Sequence, residues 1–336
     1  MRLHPLVHAL LVVGLAACSA ATSGTVPGAS TDASTPPGND GAVAQHDASG
    51  VVAADAGADT ASNAVDSGDD GGPEMGVDAA VEASIPCTAP LDSNEECRNG
   101  LPAPIFEMLP AGWSMDITEI TRSQYAAWLA TSPSTANQPA ECTGKTSYTP
   151  DATCMKSSLV CTTDCDAHPQ VCVDWCDAQT YCQALGKQLC GARPDAIAQG
   201  ETVTFADWAN AELDQFEYAC SADGKQDYVY ADTYDATACN TGCTGAACKT
   251  VVVASKSTCQ GEPLSAAFPG VFDLDGNVAE WDGVCASDDP AAQCHVRGGD
   301  MQATATTSTC DYGTGVALVA RNAPQPTVGF RWCSSM

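Results

Sequence analysis

Two short stretches of this 336-residue chain carry side chains whose types and spacing could do chemistry. Residues 297–310 read RGGDMQATATTSTC, a paired glycine turn followed by a polar run that ends on a single thiol, Cys310. A cysteine thiolate is both a nucleophile and a soft metal ligand, so Cys310 is the candidate catalytic residue. Residues 273–280 read DLDGNVAE. Here Asp273 and Glu280 offer hard carboxylate oxygens, with the backbone carbonyls of Gly276 and Val278 between them, a set that a tight loop can fold around a structural calcium ion. The spacing is not that of an EF-hand, because glycine falls at the fourth position and the distal Glu comes early. An acidic turn in which Glu280 is ion-paired to an arginine accommodates the same residues equally well.

The common hydrolase and nucleotide signatures are missing. The chain has no G-x-S-x-G, no P-loop and no H-E-x-x-H, and the segment after residue 86 has no G-x-G-x-x-G opening a helix. That segment holds two histidines, His168 and His295, too few to support a Ser/His/Asp or Cys/His system with any redundancy.

The elements that must position these residues follow from the ends of the chain inward. Residues 1–18 read as a signal peptide: one Arg, an apolar run from Leu6 to Ala17, then Cys18. Leu15-Ala16-Ala17-Cys18 resembles the bacterial lipobox, in which cleavage precedes the cysteine and the thiol is lipidated; ordinary secretory cleavage is the alternative. Acyl chains on Cys18 would hold the protein to a membrane at about 0.8 kcal/mol per buried CH₂. Ser19 after the cysteine favours the outer membrane.

Residues 19–86 contain eleven acids, no Lys or Arg and no aromatic residue, so they read as a disordered acidic Ala/Ser/Gly/Asp tether, or a glycosylated stalk. The globular part is 87–336, with all 6 Trp, 8 Tyr and 6 Phe. It carries all but one of the 13 basic residues and all but eleven of the 42 acids, a balance of about −19 that repels phosphate backbones and excludes nucleic acid as a partner.

Apart from Cys18, all of the 20 cysteines lie in this segment. In an exported protein that density is a disulfide framework with one thiol left over, and the absence of any C-x-x-C argues against structural zinc. Proximity and loop closure suggest the pairs Cys285–Cys294, Cys310–Cys333, Cys239–Cys259 and Cys190–Cys220. Residues 115–120 alternate like a strand, Thr121-x-x-Gln124 is a capping box for a helix presenting Tyr125, Trp128 and Leu129, and Asp174 caps a second helix that Gly186 closes. A third helix is expected over about 205–219. The rest reads as turns, short strands and cysteines, hence an α+β fold with low regular secondary structure and many disulfides.

Four fragments taken in order, MDITEITRSQYAAWL, HPQVCVDWCDAQTYCQALGKQLCGARP, GVFDLDGNVAEWDGVC with HVRGGDM, and ARNAPQPTVGFRWC, resemble the sulfatase-modifying-factor or formylglycine-generating-enzyme-like family over roughly 105–333. The resemblance implies an elaborated C-type-lectin-like fold, and it places calcium ligands at Asp273, Gly276, Val278 and Glu280. Catalytic members oxidise a substrate cysteine with two cysteines that hold Cu(I) in the loop after R-G-G. By position the first falls near Ala303 and the second near Ser308 or Cys310, so this chain offers one thiol where linear copper coordination takes two. Copper is therefore not expected. The sequence also replaces the family's L-P-T-E-x-E-W run with LCGARPD and a longer insertion.

The expected function is a lipid-anchored module of the cell envelope that binds a protein, peptide or glycan, or plays a structural part. A formylglycine-generating oxidase and a lectin-like carbohydrate-binding module are the alternatives.

Overall fold

The computed structural model describes residue 87 and residues 90–261, 270–311 and 318–334. The expected signal peptide, Cys18 and the expected tether lie outside these residues. No described helix is long and apolar enough to cross a membrane.

Local signals set the two longest helices. Helix α1 spans Arg122–Ala130: the Thr121 side chain accepts from the backbone N–H of Gln124, whose own side chain returns to the Thr121 N–H. Helix α2 spans Trp175–Ala184 with the same reciprocal cap between Asp174 and Asp177. Ala178, Tyr181, Cys182 and Leu185 share its buried face, as the spacing predicts, and Tyr125 and Trp128 of α1 pack against it.

Strands are short. β1 (Glu95–Arg98) pairs with β2 (Leu101–Pro104) as a two-stranded hairpin. A four-stranded sheet orders β3 (Phe106–Met108), β4 (Ser114–Asp116), the C-terminal β10 (Trp332–Cys333) and β5 (Gln188–Leu189). A second orders β8 (Leu318–Ala320), β7 (Gln293–Arg297), β6 (Ala279–Cys285) and β9 (Val328–Gly329). Trp281 and Phe330 are 1% and 0% exposed and anchor the core between sheet and helices.

The third helix differs from expectation. After the five-residue α3 (Pro194–Ala198), only α4 (Gln215–Cys220) forms. Asp207 folds back on Thr204, whose N–H and hydroxyl both donate to its carboxylate, and this turn holds residues 204–207 out of a helix. Asp214 then starts α4 as its cap.

Nine disulfides form and Cys182 alone among the described cysteines is unpaired, buried in α2. Cys239 bonds to Cys259 and Cys285 to Cys294, as spacing suggests. The other two expected pairs exchange partners: Cys190 bonds to Cys333 and Cys220 to Cys310. The reason is sheet order. β10 lies beside β5, with Trp332 opposite Leu189 and Cys333 opposite Gln188, so Cys333 comes next to Cys190. Cys310 instead comes to the last residue of α4. Loop-length reasoning cannot see a strand inserted between β4 and β5.

Candidate functional site

The segment 273–280 runs between two buried centres and sends its carboxylates to both. Asp273 and Asp275 are two residues apart and both 1% exposed. Backbone geometry fixes the passage between them and Glu280. Gly276 has φ +79° and a Cβ there would meet the Asn240 carbonyl oxygen at 2.5 Å, so only glycine fits.

The first centre is built of hard oxygens. Asp273 Oδ2 accepts from the Ala254 N–H at 2.7 Å, while its Oδ1 is buried with no partner. Glu119, on the turn between β4 and α1, accepts at Oε1 from Asn277 Nδ2 at 2.9 Å, and its Oε2 is also buried without a partner. Glu280 on β6 accepts from Arg331 at both oxygens, Nε at 2.7 Å and Nη2 at 2.6 Å. Three buried carboxylates thus face one guanidinium. Burial pushes the Asp273 carboxyl up to about 6. Burial, then the neighbouring Asp273 charge, raises Glu119 well above the ordinary range.

The second centre begins at Arg297, the last residue of β7. Its guanidinium meets Asp214 at 3.0 Å, Glu217 at 3.1 Å and Asp282 at 3.5 Å, and donates to the Cys310 carbonyl at 3.2 Å. Burial pushes Glu217 up to about 7 against the pull of Arg297. Gly298 and Gly299, with φ of +79° and +69°, then turn the chain; a Cβ on Gly299 would lie 2.6 Å from the Thr307 carbonyl oxygen and 2.7 Å from the Ala303 Cβ. The loop returns to Cys310, whose N–H donates to the Asp227 carbonyl at 2.8 Å and whose sulfur is bonded to Cys220 at the end of α4. Asp275 Oδ1 lies 3.3 Å from Cys220 Sγ.

The expected residues are thus distributed. Cys310 is 1% exposed and held in a disulfide; Ala303 is 6% exposed under Gly299; Ser308 is buried, its hydroxyl donating to the Thr304 carbonyl at 3.0 Å. Of the calcium set, Asp273 keeps an oxygen without a partner, and Glu280 is committed to Arg331. Among the described residues, the one group of three or more metal-capable side chains within 4.8 Å of one another is Cys220, Asp275 and Cys310. Sequence reasoning missed Glu119, Asp275 and Cys220 as members of these centres. Glu119 was legible in principle, as an acid inside the apolar alternation Met115, Ile117, Ile120.

Residues 86–336 match the family model described as the sulfatase-modifying factor enzyme 1-like domain. Solved structures similar to this chain include PvdO from Pseudomonas aeruginosa, at 18% identity and TM-score 0.43, covering 73% of this chain and 89% of that one. CarF is 19% identical with TM-score 0.41, covering 67% and 86%. Variable protein 1 of Treponema denticola is 17% identical with TM-score 0.39, covering 73% and 91%. No curated protein matches the chain.

Proposed function

The chain belongs to the sulfatase-modifying factor enzyme 1-like family, and from that premise we propose that it is a non-catalytic member, a binding or structural module held to a bacterial outer membrane by lipid on Cys18. Nine disulfides support an extracytoplasmic location for the domain. The observation that carries the non-catalytic reading is the Cys220–Cys310 bond. A thiolate is required both to attack and to ligate copper(I), and the one sulfur in the loop after R-G-G is spent on α4. Ala303 has no donor atom, and the Ser308 hydroxyl is a hard donor. The residues present therefore do not fit a two-thiolate copper ion.

Purified oxidised protein tests this with copper(I) and a cysteine-containing peptide. No stoichiometric copper uptake and no aldehyde product are expected; one tightly bound copper with peptide oxidation contradicts the reading. The anchor is tested by substituting Cys18→Ser, which should release the protein from membranes and abolish incorporation of labelled fatty acid.

A structural calcium ion belongs to the same reading. It is supported by the two buried oxygens without partners, Asp273 Oδ1 and Glu119 Oε2, and by three carboxylates against one arginine. Calcium at a hundred times its Kd would stabilise the domain by about 2.7 kcal/mol. Thermal unfolding with calcium and with chelator reads this out directly.

A formylglycine-generating oxidase is the second reading. One observation favours it, the presence of a second sulfur, Cys220, in bonding reach of Cys310. The glycan-binding reading has less support, because sugar binding by a shallow lectin face uses exposed rings, and every described Trp and Tyr is buried or half-buried.

A further inference from the structure

We propose that Cys220, Cys310 and Asp275, once their disulfide is opened by a dithiol reductant, form a binding site for one thiophilic divalent cation of the zinc class. The inference goes beyond the non-catalytic reading, which concerns the oxidised state.

The geometry points there through Asp275. Its Oδ2 is satisfied by the Val229 N–H at 2.8 Å, which fixes the carboxylate plane. Its Oδ1 has only Cys220 Sγ beside it, at 3.3 Å. A disulfide sulfur carries no hydrogen, so in the oxidised protein this oxygen, on a residue 1% exposed, has no donor. It is aimed at a sulfur that, once the bond is cut, becomes a thiol donor to it or a fellow ligand of a cation.

The spacing suits a small tetrahedral ion. With metal–sulfur bonds of about 2.3 Å and metal–oxygen bonds of 2.0–2.2 Å, sulfur and oxygen ligands stand about 3.5 Å apart and two sulfurs about 3.7 Å. The Asp275–Cys220 separation already has that value within a few tenths of an ångström. The two sulfurs, bonded at 2.03 Å, have only to rotate apart on backbones whose Cα atoms are 5.4 Å from each other.

Charge and hardness decide which cation. Two thiolates and a carboxylate carry three negative charges in a core of Ala219, Val229 and Leu274. A divalent ion leaves one uncompensated and copper(I) leaves two. The carboxylate is also a hard donor, which zinc accepts together with sulfur and copper(I) does not favour. Three protein donors leave one tetrahedral corner open.

The chemistry balances. The dithiol is oxidised to its own disulfide, passing two electrons and two protons to the Cys220–Cys310 bond; the cation then displaces both thiol protons to the buffer.

The test uses the full chain, purified oxidised, reduced with graded dithiothreitol, desalted under nitrogen and titrated with cobalt(II). The expected result is one equivalent of cobalt with thiolate charge-transfer and tetrahedral d–d absorption, displaced by zinc and absent from unreduced protein. Iodoacetamide mapping should find Cys220 and Cys310 labelled after reduction and shielded by zinc. Asp275→Asn, which keeps the disulfide, should weaken cobalt binding by at least about tenfold, and Cys310→Ser should abolish it.

Four results overturn the proposal: no cobalt bound by reduced protein whose circular dichroism is native, loss of fold as soon as this bond opens, zinc binding indifferent to Asp275→Asn, or labelling that shows the bound cation on other cysteines. Copper(I) taken up by the oxidised protein would instead contradict the non-catalytic reading, so the two failures are distinguishable.

Discussion

The two buried centres fed by the DLDGNVAE segment solve the same problem differently. Around Arg331, Asp273, Glu119 and Glu280 are held by hydrogen bonds and ion pairing with no covalent cross-link, and two carboxylate oxygens have no partner. Around Arg297, three carboxylates are likewise gathered on one guanidinium, but a covalent bond 90 residues long in sequence separation closes beside them. The calcium proposal concerns the first centre. The second has used its sulfur chemistry to fix α4 to the loop after Gly299. The scaffold thus keeps glycine turns and arginines at both centres, while one holds buried carboxylate oxygens without partners and the other is closed by a disulfide staple.

Four perturbations separate the centres. The largest effect is expected from Arg297→Met, which leaves Asp214, Glu217 and Asp282 buried without a counter-charge and should cost about 3–5 kcal/mol in denaturant unfolding. Arg331→Met should cost a similar amount, partly recovered by calcium, whereas calcium should not rescue Arg297→Met; equal rescue of both would erase the distinction. Replacing Cys220 and Cys310 together by serine should cost about 4 kcal/mol, because the bond closes a long loop in the unfolded chain. Gly276→Ala should cost about 2 kcal/mol, from a left-handed φ and a collision with the Asn240 carbonyl.

The smallest effect is pH dependence. Glu217 titrates near 4.5 when unfolded and at about 7 when folded, so the folded state holds its proton more tightly. Its stabilisation is complete below 4.5 and lost as pH rises through 7. The melting temperature should therefore fall by a few degrees between pH 5 and pH 7.5, and Glu217→Gln should flatten that decline.

Much of this was legible in the chain. Thr121 with Gln124 and Asp174 with Asp177 are local caps that need nothing but their neighbours, and both helices begin where those residues stand. The paired glycines Gly298 and Gly299 marked the turn that the structure shows with positive φ, and Glu280 with Arg331 is the ion pair that an acidic turn allowed. What was not legible depends on long-range order. The exchange of partners among Cys190, Cys220, Cys310 and Cys333 follows from β10 entering between β4 and β5, a contact 143 residues apart in sequence for Cys190 and Cys333. The expected helix over 205–219 shortened because Asp214 is used twice, as the cap of α4 and as a partner of Arg297. Asp275 was left out of the candidate set, because its neighbour Cys220 is brought to it only by the fold.

The central claim is that Cys310 has no free thiol in the folded, oxidised protein. Peptide mapping of non-reduced, alkylated protein by mass spectrometry tests it most directly. The expected result is a cross-linked fragment joining Cys220 to Cys310, with alkylation on Cys182 alone after denaturation. A Cys310 peptide carrying the alkyl group would contradict it and return a reactive thiol to the loop after Gly299.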